Sequence, residues 1–392
     1  MNPNRRKVLQ VTAIPITAAQ FLLPLARALR DRGYSIHFAS GPGEGQAELA
    51  AAGFPVHTAP LSRRISAPSN LAALRHLTLL LRRERFGVLH AHTPIAGLVA
   101  RLAAQAAGTE AVLYTLHGSV WGDGSALRTH VYTLAERLGA LCTDRVFVLN
   151  GRDGQDLIQR RMYRASQVTN LGVGGSGVDL ERFHPAAVPP ASTARLRAAL
   201  GIPAGSPVIG YLGRTAREKG LLDLVQAFVL VQHRHPGAHL LLAGGALEGE
   251  RDAASEAEIL AALDGHGGLR SQIHLTGFRS DVPDLLSLAT VVALPSWREG
   301  FGLALAEAGA MGLPVVATRT RGGEQAVTDG QNGLLVPVRR PDLLAEALSA
   351  ILADPRLARR LGQAGRQRAV ADFGQAATVA RQLTVYEELC SR

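Results

Sequence analysis

Two cysteines, Cys142 and Cys390, are all that this chain of 392 residues contains. They lie far apart and in no metal-ligand spacing, which argues against a disulfide framework or a zinc site and fits a reducing, cytoplasmic compartment. Aromatic residues make up only 5% and no known binding module is present, so nucleic acid is not an expected partner. No stretch reaches the roughly 20 uninterrupted apolar residues of a membrane-spanning helix. No G-x-G-x-x-G follows the first apparent strand, which speaks against a dinucleotide oxidoreductase. Lysine is the rarest cation: Lys7 and Lys219 stand alone among 42 basic residues. Where nearly every positive charge is arginine, a lysine marks a place that needs a compact point charge instead of a planar fork.

What is present is globular. The chain is 47% apolar and 19% charged, and its length exceeds one ordinary core, so two domains are expected. The opening, MNPNRRKVLQVTAIPITAAQFLLPLARA, has the basic start and apolar run of a signal peptide. Thr12, Pro15, Thr17, Gln20 and Pro24 interrupt that run, so it reads as a strand (7–14) followed by a helix (17–32). Strand and helix patterns then alternate to about residue 149, which predicts a doubly wound parallel sheet. In such sheets ligands sit at the carboxyl ends of the strands, where His90, His92 and His117 fall. The alternation lapses over residues 184–207, which are rich in proline. A second alternating series starts at residue 207. The expected architecture is α/β: two doubly wound, Rossmann-like domains, 1–185 and 207–370, joined by a linker at 186–206 and facing each other across a cleft. A last helix within 371–392, with no strand after it, is expected to return to the first domain.

The most informative stretch is PSWREGFGLALAEAGAMGLPVVAT, residues 295–318. A buried strand (290–294) leads into Glu299-Gly300-Phe301-Gly302, a turn no helix interior would tolerate. A helix from Leu303 to about Met311 follows, with Gly312 placed to stop it. The turn leaves free backbone amides at the positive end of that helix, which suit an anion. Glu299 lies just before the helix and Glu307 about one turn into it. One ligand with a phosphate at the amides and hydroxyls toward both carboxylates would match, as a nucleotide sugar does. The second domain opens with Gly213-Arg214-Thr215-Ala216-Arg217-Glu218-Lys219-Gly220 between a strand and a helix. Arg214 and Lys219 are placed to reach a diphosphate, whereas Arg217 reads as a solvated loop residue. Gly244-Gly245 and Gly322-Gly323-Glu324 follow later strands. Gly277-Phe278-Arg279 is a loop that either flanks a base or merely ends a strand. His90 and His92 lack a third ligand at usable spacing for a metal, and His233-Arg234-His235 reads as a solvated helix end.

GRTAREKG, LTGFRSDVPDLL, the 295–318 stretch, RGGEQAVTDGQNGLLVP and GSGVDLERF occur together in an order and spacing that resemble glycosyltransferase family 4, retaining enzymes of the GT-B fold. LQVTAIPIT, FLLPLARALRDRGYSIHFASGPG and LHAHTPIAGLVARLAA are similar to members that build bacterial exopolysaccharide, capsule or O-antigen units. The resemblance implies that Arg214 and Lys219 neutralise the diphosphate of a nucleotide-sugar donor. It gives Glu299, with the amides after Gly300, to the donor sugar, and Glu307 to the ribose. Gly244 and Arg279 would flank the nucleotide. His117, in Leu116-His117-Gly118, matches a histidine that faces the sugar from the first domain. Neither metal nor cofactor is implied beyond the donor, expected to be a UDP-sugar. One departure is Ala13-Ile14-Pro15-Ile16, where many members carry paired glycines, and HGSVWGDG carries no decisive acceptor signal.

Charge is uneven. Residues 1–185 hold 21 Lys and Arg against 12 Asp and Glu, while the remainder is nearly balanced. A basic half points to an anionic partner, and the family suggests a polyprenyl-diphosphate-linked glycan at the inner face of the plasma membrane. Residues 70–85, with Leu71, Leu74, Leu77 and Leu81 on one helical face and Arg75, Arg82, Arg83 and Arg85 crowding its end, form a candidate amphipathic helix after Arg63 and Arg64. The alternative is that these leucines are core. Rival activities are an epimerase or phosphorylase of the same fold, the latter requiring a cofactor-bearing lysine that neither Lys7 nor Lys219 is placed to be. A transferase with a soluble acceptor and a non-catalytic nucleotide-sugar binder remain open.

Overall fold

The computed structural model describes residues 6–62, 67–118, 126–246, 256–263 and 268–391. The chain divides into two compact units, residues 1–177 with 375–392 and residues 178–374.

In the first unit the order is β1 (Lys7–Val11), α1 (Pro15–Phe21), α2 (Leu23–Asp31), β2 (Ser35–Ser40), α3 (Gln46–Ala51) and β3 (Val56–Thr58), then α4 (Ala67–Glu84), β4 (Val88–His92), α5 (Pro94–Ala107) and β5 (Ala111–Leu116), and finally α6 (Ala126–Ala140), β6 (Arg145–Val148), α7 (Gly151–Gln159) and β7 (Val168–Asn170). All seven strands run parallel in the order β3-β2-β1-β4-β5-β6-β7. The winding therefore reverses between β1 and β4. The helix expected over 17–32 is two helices, because Pro24 has no amide for the first turn to use and so starts a new one. Pro15 begins α1 instead of disrupting it, since a first-turn proline forfeits no intrahelical bond.

The leucine face of α4 is largely core. Ala73, Leu77, Leu80 and Leu81 are buried against the sheet, Leu74 is partly buried, and Leu71 is 67% exposed. The buried line is thus turned by about one residue from the one expected, and the arginines Arg75, Arg82, Arg83 and Arg85 point outward. Arg63 and Arg64 lie outside the described residues.

The second unit contains α8 (Pro190–Ala199), β8 (Val208–Leu212), α9 (Leu221–Gln232), β9 (His239–Ala243), α10 (Glu256–Ala261), β10 (Ile273–Gly277) and α11 (Val282–Leu288). It continues with β11 (Val291–Leu294), α12 (Leu303–Ala310), β12 (Val315–Thr318), α13 (Arg321–Ala326), β13 (Leu334–Val336), α14 (Pro341–Ala353) and α15 (Pro355–Arg368). Its six parallel strands are ordered β10-β9-β8-β11-β12-β13, so the reversal falls between β8 and β11. Residues 186–206, expected as a linker, are part of this unit. Ile202 is buried, with Leu196 and Leu200 packed beside it against Val208, Leu285 and Leu288. Ser192 also donates to Asp284 at 2.7 Å.

The last helix, α16 (Gln375–Cys390), belongs to the first unit and packs on α2. Tyr386 is fully buried, its ring edge-on to Tyr34 at 6.2 Å, and Arg145 pairs with Glu388 at 2.5 Å.

One buried charge pair fixes α5 against α6. Arg101 is inaccessible to solvent and meets Glu136 with two bonds, 2.9 and 3.2 Å; its guanidinium lies 3.9 Å over the Tyr114 ring. Removing the arginine strands a buried carboxylate, which costs about 3–5 kcal/mol. Arg101→Leu should therefore lower the free energy of urea unfolding by that amount, and Arg101→Leu with Glu136→Leu should recover part of it. Equal losses in the two variants would show that packing, not the stranded charge, sets the cost.

Candidate functional site

In the second unit the loops after β8, β11 and β12 meet at the reversal point of the sheet. They approach so closely that side chains are excluded. Gly220, between Lys219 and α9, has φ +68°, and a Cβ there would lie 2.0 Å from the Pro295 carbonyl oxygen. A Cβ on Gly322, in the first turn of α13, would lie 2.5 Å from the Phe301 nitrogen; the Gly322 amide instead donates to the Glu299 carbonyl at 3.0 Å. Phe301 is buried edge-on against Phe373 at 5.1 Å, which holds the turn down. Gly302 caps α12 in the left-handed region, as the sequence suggested for the start of that helix.

These contacts bring the expected charges together. Lys219 Nζ donates to Glu299 Oε2 at 2.6 Å, both side chains about 85% buried, and Ser296 Oγ donates to the same oxygen at 3.2 Å. Beside them Glu218, which sequence reasoning passed over, takes Arg214 on one oxygen at 3.1 Å and Arg298 on the other at 2.8 Å. Burial alone would raise its pKa, but Arg298, Arg214 and Lys219 outweigh burial and hold it below the usual carboxylate range. The Glu218 carbonyl also accepts from the Trp297 amide at 2.7 Å. The signal was available in two acid–base runs, Arg-Glu-Lys at 217–219 and Trp-Arg-Glu at 297–299.

Glu307 stands apart on the second turn of α12, half-buried, its pKa pushed up to about 7 by burial, with Arg182 pulling the other way. Two expected residues sit differently. Arg279 is engaged by its own neighbour, Asp281, with Nε to Oδ1 at 2.7 Å, so it reads as a locally paired surface residue. Gly244 has φ +130°, and its missing Cβ would lie 1.9 Å from the Gly213 carbonyl oxygen. Its conformation therefore serves packing between the loops after β8 and β9. Arg217 pairs with Glu258.

The first unit contributes a separate, uncharged cluster at its own reversal point. Gln10 on β1 pairs in register with His90 on β4, and His92 pairs with Thr115 on β5. His90 bonds Thr115 Oγ1 and the Tyr386 hydroxyl, each at 2.7 Å. His92 bonds Gln10 at 2.8 Å and His117 at 3.1 Å. Burial lowers all three imidazoles, His90 to about 3 and His117 to about 4, so all are neutral at pH 7. Among the described residues no three His, Cys, Asp or Glu side chains converge as metal ligands. Residues 119–124 of HGSVWGDG lie outside the described residues.

Comparison with known proteins adds context to this geometry. A family model described as glycosyl transferases group 1 matches residues 192–368, and one described as glycosyl transferase 4-like domain matches residues 17–174. The D-inositol 3-phosphate glycosyltransferase of Xylanimonas cellulosilytica is 34% identical over 315 residues, covering 78% of this chain and 73% of that protein. The UDP-Gal:alpha-D-GlcNAc-diphosphoundecaprenol alpha-1,3-galactosyltransferase of Escherichia coli is 27% identical over 298 residues, covering 75% and 73%. The crystal structure of Anabaena HepE in complex with UDP and glucose has the same fold, with a TM-score of 0.82 over 98% of this chain and 99% of that one at 23% identity.

The lowered histidines carry a sign. The unfolded chain takes up protons near pH 6.5 that the folded one refuses until about pH 4, so folding stability from this source is complete above pH 6.5 and declines as pH falls through that window. Glu307, raised from 4.5 to about 7, acts oppositely: it costs stability as pH rises between those values. In a Glu307→Gln background the melting temperature should therefore fall from pH 6.5 to pH 4, and the ring resonances of His90 and His117 should not titrate between pH 8 and 5. Ordinary titration of either ring near 6.5 would contradict its burial.

Proposed function

The chain belongs to the group 1 glycosyl transferases, and on that premise we propose that it is a retaining, metal-independent hexosyltransferase that takes its sugar from a UDP-sugar. The observation that carries this reading is the Lys219–Glu299 pair beside Arg214, at the reversal point where an open α/β sheet receives its ligand. Arg214 and Lys219 would take the diphosphate, and their two charges meet the need otherwise filled by a metal ion. Glu299 and the amides of Phe301, Gly302 and Leu303, after Gly300, would take the sugar and the adjoining phosphate. Glu307 would accept from the ribose hydroxyls, and His117 is read as a partner of the sugar. Gly244 and Arg279 are assigned to the nucleotide side less directly, since the first is needed for loop packing and the second is held by Asp281.

Charge developing on the departing diphosphate is the quantity such a site must stabilise. The leaving phosphate oxygen can itself take the proton of the attacking hydroxyl on the same face of the sugar. No separate general base is then required, and the configuration at the sugar carbon is kept. The UDP bound in the HepE complex and the UDP-Gal in the name of the Escherichia coli relative support uridine. The diphosphoundecaprenol in that same name supports a polyprenyl-diphosphate-linked glycan as acceptor, within bacterial surface polysaccharide synthesis. The inositol phosphate relative favours a second reading, a soluble acceptor.

Transfer from a panel of UDP- and GDP-sugars tests the activity, and Lys219→Ala tests its centre. The variant should lose on the order of 10²-fold in kcat, as the loss of a charge contact made in the transition state does; activity within twofold of wild type would remove Lys219 from the mechanism. Glu307→Ala should weaken UDP binding by about tenfold in calorimetry, the value of a charge-assisted hydrogen bond, whereas Glu299→Ala should spare UDP and impair transfer. Normal UDP binding by both variants would take Glu307 off the ribose.

A lipid-linked acceptor calls for peripheral contact with an anionic bilayer, and the first unit has a face suited to it. No helix among the described residues is long and apolar enough to cross a membrane. On α4 and α6, however, Leu71, Leu79, Val131, Leu134 and Leu138 are each at least 46% exposed, with Leu141 just beyond at 82%. Arg75, Arg82, Arg83 and Arg137 are exposed on the same helices; of the acids there, Glu136 is turned inward to Arg101 and Glu84 is shared between Lys7 and Arg83. Each such arginine contributes roughly 1 kcal/mol near an anionic surface. The chain should sediment with phosphatidylglycerol vesicles but not phosphatidylcholine vesicles, and about 0.5 M salt should release it. Replacing Arg75, Arg82 and Arg83 with Ser should abolish binding. Undiminished binding by that variant would refute the patch, and no binding by wild type would favour the soluble acceptor.

A further inference from the structure

The polar cluster of the first unit is a single directed chain of hydrogen bonds, and its direction fixes which nitrogen His117 presents. It begins at Gln10, which is 1% exposed. The Gln10 amide nitrogen donates to the Tyr386 hydroxyl at 2.8 Å. That hydroxyl therefore spends its one hydrogen on His90 Nδ1, 2.7 Å away, and His90 carries its own proton on Nε2, facing Thr115 Oγ1. The other end of the same amide, Oε1, is an acceptor only. The His92 Nε2 that meets it at 2.8 Å must be the protonated nitrogen. Neutral His92 then has a bare Nδ1, which accepts from His117 Nε2–H at 3.1 Å. Neutral His117 is left with its lone pair on Nδ1.

We propose that Gln10, His92 and Tyr386 are positioning residues that hold His117 as the Nε2–H tautomer, so that it offers an acceptor nitrogen to a substrate hydroxyl. This rests on the reading that His117 takes part in transfer. Reversing the Gln10 amide would reverse every later bond and turn His117 Nδ1 into a donor. Such a reversal is concerted: the Tyr386 hydroxyl links Gln10 to His90, so turning the amide has to carry His90 and Thr115 with it. The consequence is that a residue on the last helix, 376 positions from Gln10 in sequence, sets the chemistry of the imidazole after β5. A hydroxyl donates well to a bare imidazole nitrogen, whereas two lone pairs facing each other repel. The chain thus commits His117 to a hydroxyl-bearing partner.

The test uses the full chain with 15N-labelled histidine. Two-bond 1H–15N correlation spectra assign each ring's tautomer without reference to activity, and a purely structural role for these residues would leave the tautomer of His117 unchanged. The wild-type spectrum should show His117 protonated on Nε2. Tyr386→Phe, which keeps the ring and removes the hydroxyl, should give His117 a mixed tautomer. It should also lower kcat by roughly tenfold, the scale of a misdirected catalytic hydrogen bond, with donor KM within twofold. His117 protonated on Nδ1 in the wild type, or a Tyr386→Phe variant with wild-type tautomer and kcat, would overturn the proposal. Unimpaired transfer by His117→Ala would instead overturn the catalytic reading of His117 while leaving the tautomer assignment to the spectra.

Discussion

The second unit depends on backbone meeting backbone without side chains between. The loop after β8 passes under Pro295 at Gly220, and α13 passes under the Glu299–Phe301 turn at Gly322. Both contacts are shorter than any Cβ would allow, and they draw the ends of three strands into one place. Only because of this do Lys219 and Glu299, 80 residues apart, come within 2.6 Å. A buried ion pair of this kind is weak evidence for stability, since desolvation takes back most of the attraction. Placement is the better account: each group holds the other in one orientation, the one the proposed donor would meet.

Glu218 makes the same point from the opposite side. It lies among Arg214, Arg298 and Lys219, and neutralises part of a cationic group that would otherwise repel itself. An arginine tied at one edge of its fork still has donors to give to a phosphate, because the guanidinium carries five. Lys219 has three rotatable donors on one small charge and can turn between carboxylate and phosphate without moving its stem. If Lys219 takes the diphosphate as proposed, that difference accounts for a lysine at this position in a chain whose cations are otherwise almost all arginine.

Much of the fold was legible because period and punctuation agree there. Gly302 and Gly312 bracket α12 almost at the positions the sequence suggests, and the strand–helix alternation returns all the strands that were read. What sequence could not supply was depth. Leu71 and Leu81 satisfy the same helical stripe, yet one is 67% exposed and the other buried, because the stripe is wider than the contact it makes. Gly244 reads from sequence as a place where backbone approaches a ligand closely, and only the structure shows the Gly213 carbonyl beside it. Glu218 drew no reading of its own: between Arg217, read as solvated, and Lys219, read toward phosphate, nothing in that run alone marks the acid as the partner of Arg214 and Arg298. Residues 186–206, expected as a linker with one short helix at 193–200, carry that helix as α8 (Pro190–Ala199). Proline density signals irregular backbone but says nothing about burial, and Ile202 is buried.

The two reversal points use opposite electrostatics, and a division of work follows from it. In the second unit the groups are charged and paired, so charge arriving with a ligand redistributes bonds that already exist. In the first unit Gln10, His90, His92, Thr115 and Tyr386 are buried, bonded to one another, and the two imidazoles are neutral at pH 7. A neutral network in a low-dielectric interior cannot answer a charge, but it can fix the direction of a hydrogen bond, since reversing one member requires reversing all. On the proposed reading, a diphosphate would meet the first kind of site and a sugar hydroxyl the second. The basic surplus of residues 1–185 therefore cannot lie in this network. Part of it, Arg75, Arg82, Arg83 and Arg137, lies at the surface of α4 and α6, among exposed leucines.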